Sequence, residues 1–276
     1  MCVGDTHGGN NGGQGFVKGR FVEYKAKICK DLGIDRMIIV GDFGMWPGHG
    51  GILFLDDLEE IARKYDIKIY ALRGNHDDTV QWNHYIENAP KDASGFSYVR
   101  SRVLIAPTIH FWKWDNKRFG ICGGAVSVDK AGRTIWESWW PDEAFSEENL
   151  ASVLRYKGNN LDYLFTHDAS DHTEWGYHLI PDLDSKACRQ RIDKVIAHLK
   201  PEFHFHGHMH AKYWWVNRAS HGRHYSAFGI DDSEWNGHAT ETWGLECNSD
   251  EASWCVLDTE SNKAYWPSKA IALYGE

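Results

Sequence analysis

Short apolar runs and amphipathic stretches alternate along the first third of the chain. Met1-Cys2-Val3 reads as a strand fragment, and a Gly- and Asn-rich loop follows to Gly15. From Phe16 to Leu32 the apolar positions Val17, Phe21, Tyr24, Ile28 and Leu32 recur at helical spacing, and Gly33 closes the helix. Arg36 to Val40 is a buried-type strand. A second helix carries Phe54, Leu58, Ile61 and Tyr65 on one face, and Ile67 to Leu72 is a third strand, broken by Gly74. Strand, polar turn and helix thus repeat, which predicts a parallel sheet covered by helices.

The second half is richer in strands. Apolar runs predict strands over 102–106, 109–114 and 118–122, the last two joined by an Asp115-Asn116-Lys117 turn. Gly123-Gly124 opens a loop whose segment from Asp129 to Glu143 is aromatic and charged. A helix is predicted over 147–156 and a short strand over 163–165. A polar loop over 169–185 leads into a helix that turns Cys188, Ile192, Val195 and Leu199 inward. Strands are expected at 203–205, 213–216, 223–228, 254–257 and 263–266, with 229–248 reading as loop. No solenoid repeat, low-complexity tract or linker interrupts the pattern, so residues 1–276 read as one α/β domain.

Composition narrows the function. A formal charge of −9 argues against a nucleic-acid backbone binder, although a bound metal can reverse the local sign for a phosphate substrate. No apolar run approaches the ~18 residues of a membrane span. The six cysteines form no C-x-x-C pair and no signal sequence precedes them. A reduced, cytoplasmic protein with thiols packed as small hydrophobes is the expectation.

Chemistry-bearing residues stand just past the predicted strands: Asp5 and His7, Asp42, Asn75 and His76, His167, and His208 and His210. A parallel sheet brings the carboxyl ends of its strands to one edge, so these groups converge. Each piece alone also fits a plainer reading. Asp5-Thr6-His7 and Gly41-Asp42 can be capping turns, Gly-Asn-X-Asp an ordinary turn, and His208-Met209-His210 a chance pair among sixteen histidines. Together they are costly without a cation, since two carboxylates ~4 Å apart repel by roughly 4 kcal/mol at an effective dielectric near 20. The mixture of imidazole, carboxylate and amide oxygen suits Mn, Fe, Zn, Ni or Co better than Ca or Mg. Eight such groups are too many for one ion and fit two.

Asp-X-His, Gly-Asp, Gly-Asn-His-Asp, His and Gly-His-X-His, in that order from Gly4 to His210, resemble the calcineurin-like metallophosphoesterase superfamily. Gly41-Asp42-Phe43-Gly44 with Trp46-Pro47, Gly123 to Asp129 with Arg133 and Trp139-Trp140-Pro141, and Thr166-His167-Asp168-Ala169 look like a bacteriophage and actinobacterial branch of it. The resemblance implies two mixed β-sheets sandwiched between helices. It also implies two divalent metal ions, with manganese the one expected to work in vitro. Asp5, His7 and His210 would hold the first, Asn75, His167 and His208 the second, and Asp42 would bridge them. Two such ions activate a shared water as hydroxide for in-line attack on phosphorus.

His76 is then the natural general acid for the leaving oxygen, oriented by Asp77. Arg73 is a candidate for phosphate binding and reads equally well as a structural contact. The loop from Gly123 to Glu143, with Asp129, Arg133, Trp136, Trp139 and Trp140, is expected over the metal mouth, with Arg133 binding substrate. Protein Ser/Thr phosphatases of the superfamily carry Gly-Asp-X-Val-Asp-Arg-Gly and Gly-Asn-His-Glu. Here Gly44, Met45 and Asp77 depart from those motifs, which argues against phosphoprotein substrates.

The expected activity is therefore hydrolysis of small phosphodiesters such as cyclic nucleotides. The alternatives are a nuclease of the same superfamily and a non-catalytic metal-binding scaffold. One further expectation concerns Met1-Cys2-Val3, short for a central strand that positions two ligands. It predicts that translation starts upstream and that the extra residues are apolar.

Overall fold

A computed structural model describes residues 1–7, 20–158, 160–173, 182–218, 238–247 and 251–274. The strand predicted over 223–228 and the loop from Gly8 to Gly15 lie outside these residues.

One sheet contains β1 (Cys2–Val3), β2 (Arg36–Val40), β3 (Lys68–Leu72), β4 (Ser97–Tyr98), β5 (Val103–Ile105), β12 (Trp254–Asp258) and β13 (Lys263–Tyr265). Its order is β13-β12-β1-β2-β3-β5-β4, with β1, β2, β3 and β5 parallel. The other contains β6 (Ile109–Trp114), β7 (Lys117–Cys122), β8 (Tyr163–Thr166), β9 (Phe203–His206), β10 (Tyr213–Arg218) and β11 (Ala239–Gly244). It runs β10-β11-β9-β8-β7-β6, with β7, β8, β9 and β11 parallel.

Alternation along single strands builds the layers. In β2, Met37 and Ile39 pack with the helices α1 (Arg20–Asp31) and α2 (His49–Tyr65), through Cys29, Phe54 and Leu58. Ile38 and Val40 point the other way, into the seam between the sheets, where they join Ile121, Tyr163, Phe165 and Phe205. Beyond the second sheet, Cys122 and Leu164 meet α4 (Glu147–Arg155) and α5 (Leu183–Leu199) through Val153, Ile192 and Val195. Helices, two mixed sheets and helices again make an α/β sandwich. The central strands are buried on both faces, which is why they read as continuous apolar runs.

Among the elements that depart from the sequence pattern, three are instructive. Helix α3 (Thr79–Asn88) follows β3; it buries only Thr79 and Trp82 and starts where Asp78 accepts from Val80 N and Gln81 N. Helix α6 (Pro267–Tyr274) closes the described chain. Strand β11 falls where a loop was expected. Its buried Thr240 donates to Pro201 O and its Thr242 meets His204, so hydroxyls occupy the inward face where hydropathy looks for hydrocarbon.

Candidate metal centre

Asp5 follows β1, Asp42 follows β2, Asn75 and His76 follow β3, His167 follows β8, and His208 and His210 follow β9. Short, doubly paired strands hold these positions; Cys2 of β1 lies between Ile38 and Cys255. Close approach explains two motif glycines. A methyl on Gly207 would collide with Asp5 Oδ1, and one on Gly74 with Asp42. Non-glycine residues in the left-handed region concentrate here as well: His7, Asp42, His208 and His210 have φ of 45°, 43°, 61° and 49°. Such backbone persists where surrounding contacts over-determine it, and it gathers at functional sites.

Two donor groups share one carboxylate. Asp5, His7, Asp42 and His210 offer atoms all within 4.8 Å of one another, and so do Asp42, His167 and His208. Asp42 lies 3.2 Å from His167 Nε2 and 3.7 Å from His7 Nδ1, and Asp5 lies 3.1 Å from His210 Nε2. The Asn75 amide oxygen is 2.9 Å from His167 Nε2.

Surrounding groups aim these donors. His167 Nδ1 faces the Val40 carbonyl at 2.9 Å, which turns Nε2 toward Asp42 and Asn75. Asn75 donates its amide N–H to Ser127 Oγ, which donates to Glu143, while the Ser127 N–H donates to the same carboxylate. This fixes which end of the amide points inward. The Ser127–Glu143 relay escaped the sequence reading; its signal is a serine and a carboxylate bracketing the Gly123–Glu143 loop.

Electrostatics describe a cation hole. Both carboxylates are almost completely buried. Burial works to raise Asp42, but the charges on His167 and His76 hold it well below the usual carboxylate range. Burial works to lower His167, yet Asp42 and Asp5 push it up to about 10. Burial keeps His208 down at about 3, leaving a neutral imidazole as donor. A proton on His167 thus does between the carboxylates what a divalent ion would do more strongly, and the donors fit such an ion.

The remaining expected residues divide. Arg133 lines a cleft of about 340 Å³ together with Asp42, Asn75, His76, His208 and His210. Its Nη1 and Nη2 lie 2.9 and 2.8 Å from the two ring nitrogens of His76, and Nη2 also bonds Asp129 at 2.7 Å. Of the loop tryptophans, Trp140 is fully buried in the packing and Trp136 is exposed; the cleft is instead lined by Ser127, Val128 and Asp129. Arg73 is buried away from the cleft and donates to the main-chain carbonyls of Asp142 and Glu143 at 3.0 and 3.4 Å. That contact braces the loop, and the phosphate role considered for Arg73 does not fit it.

Asp77 is also placed otherwise than expected. Its carboxylate accepts from the N–H groups of Phe43, Gly44, Met45 and Gly74 at 2.8–3.2 Å, with all its lone pairs turned to backbone. It ties the Asp42 turn to the Asn75 turn and does not orient His76. The His76 ring instead sits edge-on to Trp46 and His7, 3.8 Å from Asp42 Oδ2.

The sequence profile of calcineurin-like phosphoesterases matches residues 1–212. The chain belongs to this family. Calcineurin-like phosphoesterases are metal-dependent hydrolases of phosphorylated substrates, and the Asp/His groups above can hold the metal. No curated protein matches the sequence. Among solved structures, similarity is found to phosphopantetheinyl hydrolase (PptH) from Mycobacterium tuberculosis. That match has 12% identity and a TM-score of 0.45, covering 89% of this chain and 88% of the other. The sulfate thiohydrolase SoxB of Thermus thermophilus matches at 10% identity and a TM-score of 0.36, covering 85% of this chain and 39% of SoxB. No helix among the described residues is long and apolar enough to cross a membrane.

Proposed function

We propose that this phosphoesterase binds two divalent ions and hydrolyses small phosphodiesters, with cyclic nucleotides as the leading class. The observation that carries this reading is the sharing of Asp42 between two donor groups. Asp5, His7 and His210 would hold one ion, Asn75, His167 and His208 the other, with Asp42 between. When bound, such a pair polarises a phosphoryl oxygen and makes water nucleophilic at neutral pH.

The protein's own groups do the rest. The Ser127–Glu143 relay presents the Asn75 oxygen, and Val40 fixes the His167 ring. His76 stands at the cleft wall, where a proton on Nε2 or Nδ1 can reach a leaving oxygen. Arg133 would turn from His76 to the substrate phosphate, uncovering that imidazole. Met45 is fully buried and Gly44 has no side chain, so neither supplies a second phosphate clamp. This supports small diesters over phosphoproteins. The likeness of the 41–47 and 123–141 segments to a phage and actinobacterial branch is part of the same proposal.

Turnover of bis-p-nitrophenyl phosphate with Mn²⁺, abolished by EDTA and exceeding that of p-nitrophenyl phosphate, is the expected result. Two bound ions without turnover of either compound would favour the scaffold reading. His76→Ala is expected to keep both metals and lose about 10²–10⁴-fold in rate on substrates with poor leaving groups. The loss should shrink with p-nitrophenolate, which needs no proton; an equal loss on both would count against an acid. Arg133→Ala is expected to raise KM about tenfold or more, from the loss of a charge-assisted contact, with metal content unchanged.

A further inference from the structure

Five of the six cysteines are buried, and Cys247 alone is half-exposed. It lies three residues beyond the end of β11. That strand runs parallel to β9 with Gly244 opposite His206, so the chain past Gly244 emerges beside the chain carrying His208 and His210. Leu245 N continues the ladder to His206 O at 2.9 Å, and Glu246 N bonds Ala252 O at 3.1 Å. A methyl on Gly4 would collide with Glu246 O, so this turn also packs against the segment that leads to Asp5 and His7.

The result is a third donor group. Cys247 Sγ, a His7 nitrogen and a His210 nitrogen all lie within 4.8 Å of one another. The two imidazoles, with Nε2 atoms 3.1 Å apart, belong both to this group and to the one with Asp5 and Asp42. With Zn–N near 2.0–2.1 Å and Zn–S near 2.3 Å, neighbouring donors lie roughly 3.3–3.6 Å apart in a four-coordinate site and roughly 3 Å apart in the five-coordinate one that Cys247 would make with Asp5, His7, Asp42 and His210. The three atoms, within 4.8 Å of one another, would have to close by about an ångström or more to meet that, and the group with Asp5 and Asp42 does not include Cys247.

We propose that the Cys247 thiolate is a further donor to the first ion, approaching it past the His7–His210 pair, and that it biases this site toward zinc over manganese. The inference rests on the dinuclear reading above. Thiolate is a soft donor that manganese and magnesium disfavour, whereas two imidazoles and a sulfur are a common zinc set. Binding replaces the thiol proton by the ion, and the proton leaves to solvent.

The test uses the intact protein and its Cys247→Ser and Cys247→Ala variants, loaded with Co²⁺. Two cobalt ions per chain and a sulfur-to-cobalt charge-transfer band in the near ultraviolet are expected, the band being absent from both variants. Zinc should block iodoacetamide alkylation of Cys247, read by intact mass and peptide mapping. The zinc-over-manganese affinity ratio should fall about tenfold or more in the serine variant. Two cobalt ions without the band, and alkylation unaffected by zinc, would overturn the thiolate donor and leave the dinuclear reading standing. Failure of the intact protein to bind two ions would overturn the dinuclear reading, and this inference with it, whereas a variant that holds one ion where the intact protein holds two would support Cys247 as a donor.

Discussion

Replacing Asp42 by asparagine is expected to reduce bound metal from two ions per chain to one or none and to lower kcat/KM by at least about 10³-fold. Asp42 is the one side chain common to both proposed sites, so its charge is lost to both at once. Asparagine keeps an oxygen to accept the His76 N–H, which Asp42 Oδ1 does at 2.9 Å, so the turn survives and the charge is what changes. The magnitude follows from the several kcal/mol that metals contribute to stabilising transition-state charge. At 1.36 kcal/mol per decade, about 4 kcal/mol is a thousandfold. Elemental analysis with turnover of bis-p-nitrophenyl phosphate measures both halves. A variant that retained two ions and near-normal turnover would show that Asp42 does not bridge. His76→Ala should differ by keeping its metal, which separates the two roles.

The proposed ligand set is legible in the sequence because each member follows a short apolar strand. The parallel arrangement then fixes where the strand ends go, whatever the distance along the chain. That logic brings Asp5 and His210, 205 positions apart by their numbers (210 − 5), within 3.1 Å. Legibility ends where a role depends on how two loops face each other. Gly-Asn-His-Asp suggests that Asp77 serves its neighbour His76, yet its acceptors point to the turn that follows β2. Arg73 reads from the sequence either as a phosphate contact or as a structural one, and the Asp142–Glu143 backbone that receives it fits the structural reading. Cys247 is hidden for a third reason. Its position follows from β11, and that strand buries threonines whose hydroxyls are satisfied by Pro201 and His204, leaving no hydrophobic alternation to read.

Asp77→Ala is expected to be the most destabilising single change at the site, by about 3–5 kcal/mol, while removing no metal donor. The carboxylate is completely buried and receives four backbone N–H groups from two separate turns. Truncation leaves these donors without water or a partner, at roughly 1–3 kcal/mol for each group wholly unsatisfied, less where the loops relax. Burial and the nearby Asp42 charge work to raise the Asp77 carboxyl and the backbone N–H groups to lower it, and the balance lies on the raised side. The cost of the variant therefore comes from the orphaned N–H groups and not from the loss of a favourably held charge. Asparagine should recover only part of the loss, because its NH₂ would face N–H donors where an oxygen now sits. At about 3 °C per kcal/mol for a chain of this size, thermal unfolding of the alanine variant should fall by about 9–15 °C. Below its new transition, at saturating metal, the alanine variant should still bind two ions. An unchanged unfolding temperature with a selective loss of His76-dependent turnover would restore Asp77 as the residue that orients the acid.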